Sequence, residues 1–190
     1  MNKFKCVILG DSCVGKTSIM NRYFSNTFNR NTETTLGAIF FSEKFISDSF
    51  AIDFWDTAGQ ERYRSLVPMY IRDANIILIV YDVNNKNSFN SVYYWFKLIE
   101  SLENHYIILI GNKTDLETKV SNEDINSLIY RNNIDFYQIQ LSAKENINFD
   151  ELKKKIKEIG LKLKNLSTIK LNNQYDISIS KNNISSNKCC

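Results

Sequence analysis

The stretch GDSCVGKT, Gly10 to Thr17, stands between a short apolar run, FKCVIL (4–9), and a helical pattern over 15–24. It has the form G-x-x-x-x-G-K-[ST]. Gly10 and Gly15 let the loop wrap so that the backbone N–H groups of Asp11, Ser12, Cys13 and Val14 point inward around phosphate oxygens. The helix that follows, entered through Ser18, adds the positive end of its dipole. Lys16 would reach the β- and γ-phosphates, and the Thr17 hydroxyl would ligate Mg2+. Cys13 reads as a tolerated small residue rather than a nucleophile. A strand before the loop and a helix after it make a chance match improbable.

Working outward, apolar runs and amphipathic stretches alternate. FAIDFW (50–55), NIILIVYDV (75–83), YIILIG (106–111) and FYQIQLS (136–142) join 4–9 as strands. Three of these are almost continuously apolar, as strands buried on both faces are. Helical patterns lie at 15–24, 87–102, 121–131 and 148–164. Asn148 is placed to cap the last, with Glu151 three residues on. One hairpin interrupts the alternation, AIFFSEKFI and FAIDFWD joined by SDS (47–49). The expected fold is α/β: a mostly parallel six-stranded sheet with one antiparallel edge strand and helices on both faces. Ligands of such sheets bind at the carboxyl ends of the strands.

The strand ends carry the next signals. DTAGQ, Asp56 to Gln60, closes the 50–55 strand. There Asp56 can support a metal through a water, Gly59 can offer its N–H to a γ-phosphate, and Gln60 can orient an attacking water. GNKTDL places Asn112, Lys113 and Asp115 at the end of 106–111. An ionised Asp115 only accepts hydrogen bonds, so it suits the N1–H and N2–H2 donors of guanine. Adenine would leave that carboxylate unpaired. SAK, Ser142 to Lys144, ends the last strand, where the backbone N–H groups at Ala143 could meet guanine O6. The stems of Lys113 and Lys144 can pack on base and sugar.

In this order the four elements resemble the Ras superfamily of small GTPases over residues 4–164. The resemblance implies GTP and GDP as substrate and product, with Mg2+ as cofactor. In TETTLGAIFF it makes Thr35, rather than Thr34, the first-switch threonine, by the register of Leu36, Gly37 and Phe40. Phe28 becomes the aromatic that stacks on guanine. Lys16, Thr35 and Gln60 are the residues expected to act on the reaction. Nothing in the loop resembles an arginine supplied in cis, so unaided hydrolysis should be slow and a GTPase-activating protein is expected.

Within the superfamily, WDTAGQERYRSLVPMYIRDA (55–74) resembles the Rab branch. Strand parity puts Phe40 on one face with Ser42 and Lys44, and Trp55 with Asp53, so both aromatics should be partly exposed. With Tyr70 they form an expected effector patch. The Rab resemblance implies a role in vesicle trafficking, on the cytoplasmic face of Golgi or endosomal membranes, with a carrier-bound cytosolic pool. Its partners would be an exchange factor, an activating protein, a GDP-dissociation inhibitor or escort protein, and effectors. The alternatives are a Ras- or Rho-type signalling GTPase and a P-loop ATPase or kinase. Asp115 weighs against the last.

The domain is expected over 1–165 and a disordered tail over 166–190, rich in Asn and Ser, with Lys170, Lys181 and Lys188 as its lysines. As a coil this tail would span roughly 25–30 Å. It ends in Cys189 and Cys190, which the resemblance makes sites of double geranylgeranylation. One lipid alone anchors only marginally, and this tail is barely basic. Asn at position 2 excludes N-myristoylation. The net charge of +3 gives no basic surface of the kind nucleic-acid binding needs. Four cysteines, two of them terminal, are no disulfide framework. His105, at a strand start, reads as a surface residue.

Overall fold

The computed structural model describes residues 1–30, 35, 37–59, 66–132 and 135–185, with backbone alone for 129–132 and 170–185. Six strands, β1 (Asn2–Leu9), β2 (Ala38–Phe45), β3 (Phe50–Thr57), β4 (Ile76–Asp82), β5 (Tyr106–Asn112) and β6 (Tyr137–Gln140), form one sheet. Their order is β2-β3-β1-β4-β5-β6. All neighbours pair in parallel except β2 and β3, the hairpin, whose register sets Phe40 opposite Trp55. This is the architecture the alternating pattern predicts.

Alternation along the central strands divides the core. Cys6, Ile8, Leu78 and Ile110 face one way, packed under α1 (Lys16–Ser25) and α6 (Phe149–Ser185). Val7, Leu9, Ile77 and Leu109 face the other, packed under α2 (Val67–Ile71), α3 (Lys86–Asn90), α4 (Val92–Ile99) and α5 (Asn122–Asn132). Both faces of β4 are buried throughout, which is why its sequence is apolar without alternation.

Three local expectations are corrected. The pattern over 87–102 is two helices, not one. At the joint the Ser91 N–H (3.0 Å) and hydroxyl (3.2 Å) both donate to Asn87 O. Asn148 stands at φ 61°, and its amide donates to Gln140 O (2.7 Å), while Glu151 takes the Tyr137 hydroxyl, so the capping pair does not form. The last helix, Phe149–Ser185, extends past the expected end at Lys164. After Gly160 no glycine or proline occurs that would stop it. No helix among the described residues is long and apolar enough to cross a membrane.

Candidate functional site

The carboxyl ends of β1, β3, β5 and β6 open on one cavity of about 550 Å3. Its lining includes Ser12, Cys13, Gly15, Lys16, Thr17, Ser18, Phe28, Thr35, Gly59, Asn112, Lys113, Asp115, Ala143 and Lys144, so most of the expected site residues share one space. Asn29, Arg30, Thr57 and Leu116 line it as well. Gly10, Asp11, Val14 and Ser142 lie in the same loops but do not line the cavity. Gln60, Cys189 and Cys190 lie outside the described residues.

The loop after β1 turns through left-handed backbone at Gly10 (φ 141°), Cys13 (φ 63°) and Gly15 (φ 94°). Cys13 is exposed. Lys16 is buried and donates to Gly10 O and Asp11 O, both at 2.8 Å. Burial lowers its ammonium to about 8, against the pull of the Asp56 and Asp11 carboxylates. Gly59 comes so close that a side chain there would put Cβ 2.1 Å from Lys16 Nζ and 2.6 Å from Asp11 O.

Beside the lysine, three oxygens converge. Thr17 Oγ1 donates to Asp56 Oδ2 (2.6 Å) and lies 2.8 Å from Thr35 Oγ1. The second carboxylate oxygen, Asp56 Oδ1, is buried with no hydrogen-bond partner. Burial raises Asp56 to about 6, even with the Thr17 hydroxyl and Lys16 pulling it down. Two hydroxyls and a desolvated carboxylate are hard oxygen donors, and an orphaned oxygen among them fits Mg2+, which takes one or two carboxylates and completes its shell with water and phosphate. Among the described residues no group of three or more His, Cys, Asp or Glu gathers that would serve a metal needing an all-protein cage.

The base side of the cavity is held by a second network. Asn112 is buried; its amide donates to Val14 O (2.8 Å) and its Oδ1 accepts from Ala143 N–H (3.2 Å). One side chain thus bolts the phosphate loop to the loop after β6. Asp115 Oδ1 accepts from the Ser142 hydroxyl (2.6 Å), and Oδ2 faces Lys144 Nζ at 3.4 Å. Burial alone would raise Asp115; the Ser142 hydroxyl, its own backbone N–H and Lys144 outweigh it and hold the carboxylate below its usual range. It is thereby kept ionised and acceptor-only.

One partner here was not legible in sequence. Asp82, ending β4, takes Lys113 Nζ at 2.7 Å through Oδ2 and the Asn84 N–H (2.9 Å) through Oδ1. Its only signal is an acidic residue closing an apolar strand at the ligand edge. His105 is half-buried rather than on the surface, and burial lowers its pKa. It lies apart from the cavity lining.

Phe40, Trp55 and Tyr70 form a run of rings: Phe40 to Trp55 at 5.3 Å between centroids, edge-on, and Trp55 to Tyr70 at 6.2 Å. Phe40 is 52% exposed and the other two are partly so. The run adjoins the site's own strands, since Phe40 follows Gly37, whose carbonyl accepts Ala58 N–H (2.8 Å), and Trp55 precedes Asp56.

A sequence model of the Ras family matches residues 5–161. The match takes in β1 from Lys5, the other five strands whole and both loops that Asn112 joins. A phosphate loop, a hydroxyl–carboxylate cluster for Mg2+ and an ionised aspartate awaiting a base thus stand in one matched frame, and the chain belongs to the Ras family of small GTPases.

Proposed function

We propose that the chain is a Rab-type switch that binds and hydrolyses GTP to regulate membrane trafficking. The observation that carries this reading is the run of rings Phe40, Trp55 and Tyr70 on the β2–β3 hairpin and α2, where Trp55 immediately precedes Asp56, the acceptor of the Thr17 hydroxyl. A partly exposed aromatic surface next to groups that would feel a terminal phosphate suits a partner that distinguishes nucleotide states.

The chain's residues act as follows. Backbone N–H groups of Asp11 to Gly15 and the Lys16 ammonium bind the phosphates. On binding, Lys16 turns from the carbonyls of Gly10 and Asp11 toward the phosphate oxygens. Thr17 and Asp56 would hold Mg2+, which neutralises charge on the transferred phosphoryl group. Thr35 gains its full partner set only with the γ-phosphate present, and Gly59 can donate its N–H there. Loss of that phosphate releases both segments and the aromatic run between them. With Gln60 in the family's place for orienting water and no arginine in the Gly10–Thr17 loop, stimulation by an activating protein is expected.

Cys189 and Cys190 would carry geranylgeranyl groups and hold the domain at the cytoplasmic face of Golgi or endosomal membranes. A GDP-dissociation inhibitor would shield them in a cytosolic pool. An exchange factor and effectors complete the cycle. The test is fractionation of cells expressing the tagged full chain beside its Cys189→Ser, Cys190→Ser double variant. The double variant should bind GTP as before and be wholly cytosolic. Sedimentation with membranes would end the anchor reading, and ATP displacing GTP at equal concentration would end the guanine reading.

A further inference from the structure

Arg22, in the last turn of α1, spends its guanidinium on backbone and amide oxygens of two separate loops. Nε donates to Ala143 O (2.8 Å) and Nη2 to Lys144 O (3.0 Å). Nη1 donates to Asn26 O (2.7 Å) and to Asn26 Oδ1 (3.2 Å). All four bonds end on neutral acceptors. In return Asn26, the left-handed cap of α1, donates its N–H to Arg22 O (3.1 Å).

The two loops so joined lead to different parts of one cavity. Ala143 and Lys144 line it themselves, and Asn26 stands two residues before Phe28, which also lines it. Ala143 is pinned at both poles, its N–H by Asn112 and its carbonyl by Arg22. A planar fork can hold two successive carbonyls at a fixed spacing, which a lysine ammonium cannot.

We propose that Arg22 is the positioning residue of the guanine slot: it fixes the Phe28 segment relative to the Ala143–Lys144 turn, and so sets how long a guanine nucleotide stays bound. This rests on the guanine reading of Asp115 and Phe28. It adds to that reading a residue that touches no nucleotide and whose partners lie 121 and 122 positions away along the chain.

The experiment loads the full chain with a fluorescent GDP analogue and Mg2+ and follows release after a chase of unlabelled GDP. Arg22→Met, which keeps the stem and removes the fork, should release the nucleotide roughly 10–100-fold faster. Arg22→Lys, able to reach one carbonyl, should fall between it and the native chain. Because the fork acts through the Phe28 segment, Phe28→Leu should cost less in the Arg22→Met background than alone, so the double variant falls short of the product of the singles. Release within about twofold of native in both Arg22→Met and Arg22→Lys overturns the proposal, since only the packing of the stem would then matter. Multiplicative effects with Phe28→Leu overturn it too. If Arg22→Met does not fold, Arg22→Lys and Arg22→Gln carry the same comparison. A native chain that folds yet fails to retain GDP overturns the guanine reading instead, and this proposal with it.

Discussion

In a Gly15→Ala variant the added Cβ would lie 2.4 Å from the Asn112 amide nitrogen, in backbone at φ 94°. The Asn112 side chain cannot swing aside cheaply, because it is buried and bonded at both ends, to Val14 O and Ala143 N–H. The strained backbone costs about 1–2 kcal/mol whether or not nucleotide is bound. That part lowers stability without selecting against the ligand. Displacing Asn112 is different, since each of its two buried hydrogen bonds, once broken, costs about 1–3 kcal/mol. The bound nucleotide would then have to hold the phosphate loop and the β6 loop together by itself. Taking about 2–4 kcal/mol for this loss, GDP release should accelerate about 30- to 700-fold. The assay is stopped-flow release of a fluorescent GDP analogue in excess Mg2+. Asn112→Ala is the companion variant, which removes the same two bonds without backbone strain and should release GDP similarly fast. Release within about threefold of native in both variants would refute the reasoning.

Gly160→Ala should destabilise the fold: the helix gains about 1 kcal/mol in propensity, but Cβ would fall 2.4 Å from Phe50 Cε2, a fully buried ring. With overpacking at about 1–3 kcal/mol, a net loss of up to about 2 kcal/mol is expected in chemical denaturation, and Phe50→Leu in the same chain should abolish it. Because burial holds Lys16 near 8 in the nucleotide-free site, it is largely neutral above that pH. Phosphates favour the charged form and raise its pKa, so nucleotide binding should take up protons above pH 8 and weaken as pH rises. Calorimetry in two buffers of different ionisation enthalpy at pH 8.5 would detect the uptake, and its absence would contradict the assignment. Asp82→Asn keeps the Asn84 contact but removes the charge beside Lys113. As Lys113 is partly exposed, GDP release in the same fluorescence assay should quicken only about two- to fivefold.

The sheet and the chemistry at its edge were legible because both are written locally. Three apolar runs too uniform for half-buried strands identified the parallel core, and the motifs sit where those runs end. Phe40 and Trp55 could be assigned to the exposed face by counting twos along the hairpin. What was not legible depends on competition or on distance. The joint at Ser91 falls inside a stretch whose pattern is helical on both sides. Asn148, a good cap by type, stands in left-handed backbone at φ 61°. Asp82 and Arg22 reach partners brought beside them only by the closed sheet. No periodicity or spacing records such pairings.

The place of β1 in the sheet, between β3 and β4, separates two tasks. Groups that would feel the terminal phosphate come from the β2–β3 side, at Thr35, Asp56 and Gly59. Those that grip the base come from the β5–β6 side, at Asn112, Asp115 and Ala143. Cutting off a phosphate would alter the first set and leave the second as it was, so the base contacts are common to substrate and product. Such a molecule behaves as a latch that stays shut after it has fired. On the proposed reading the base side is the same in both states, and only the β2–β3 side tells one nucleotide from the other.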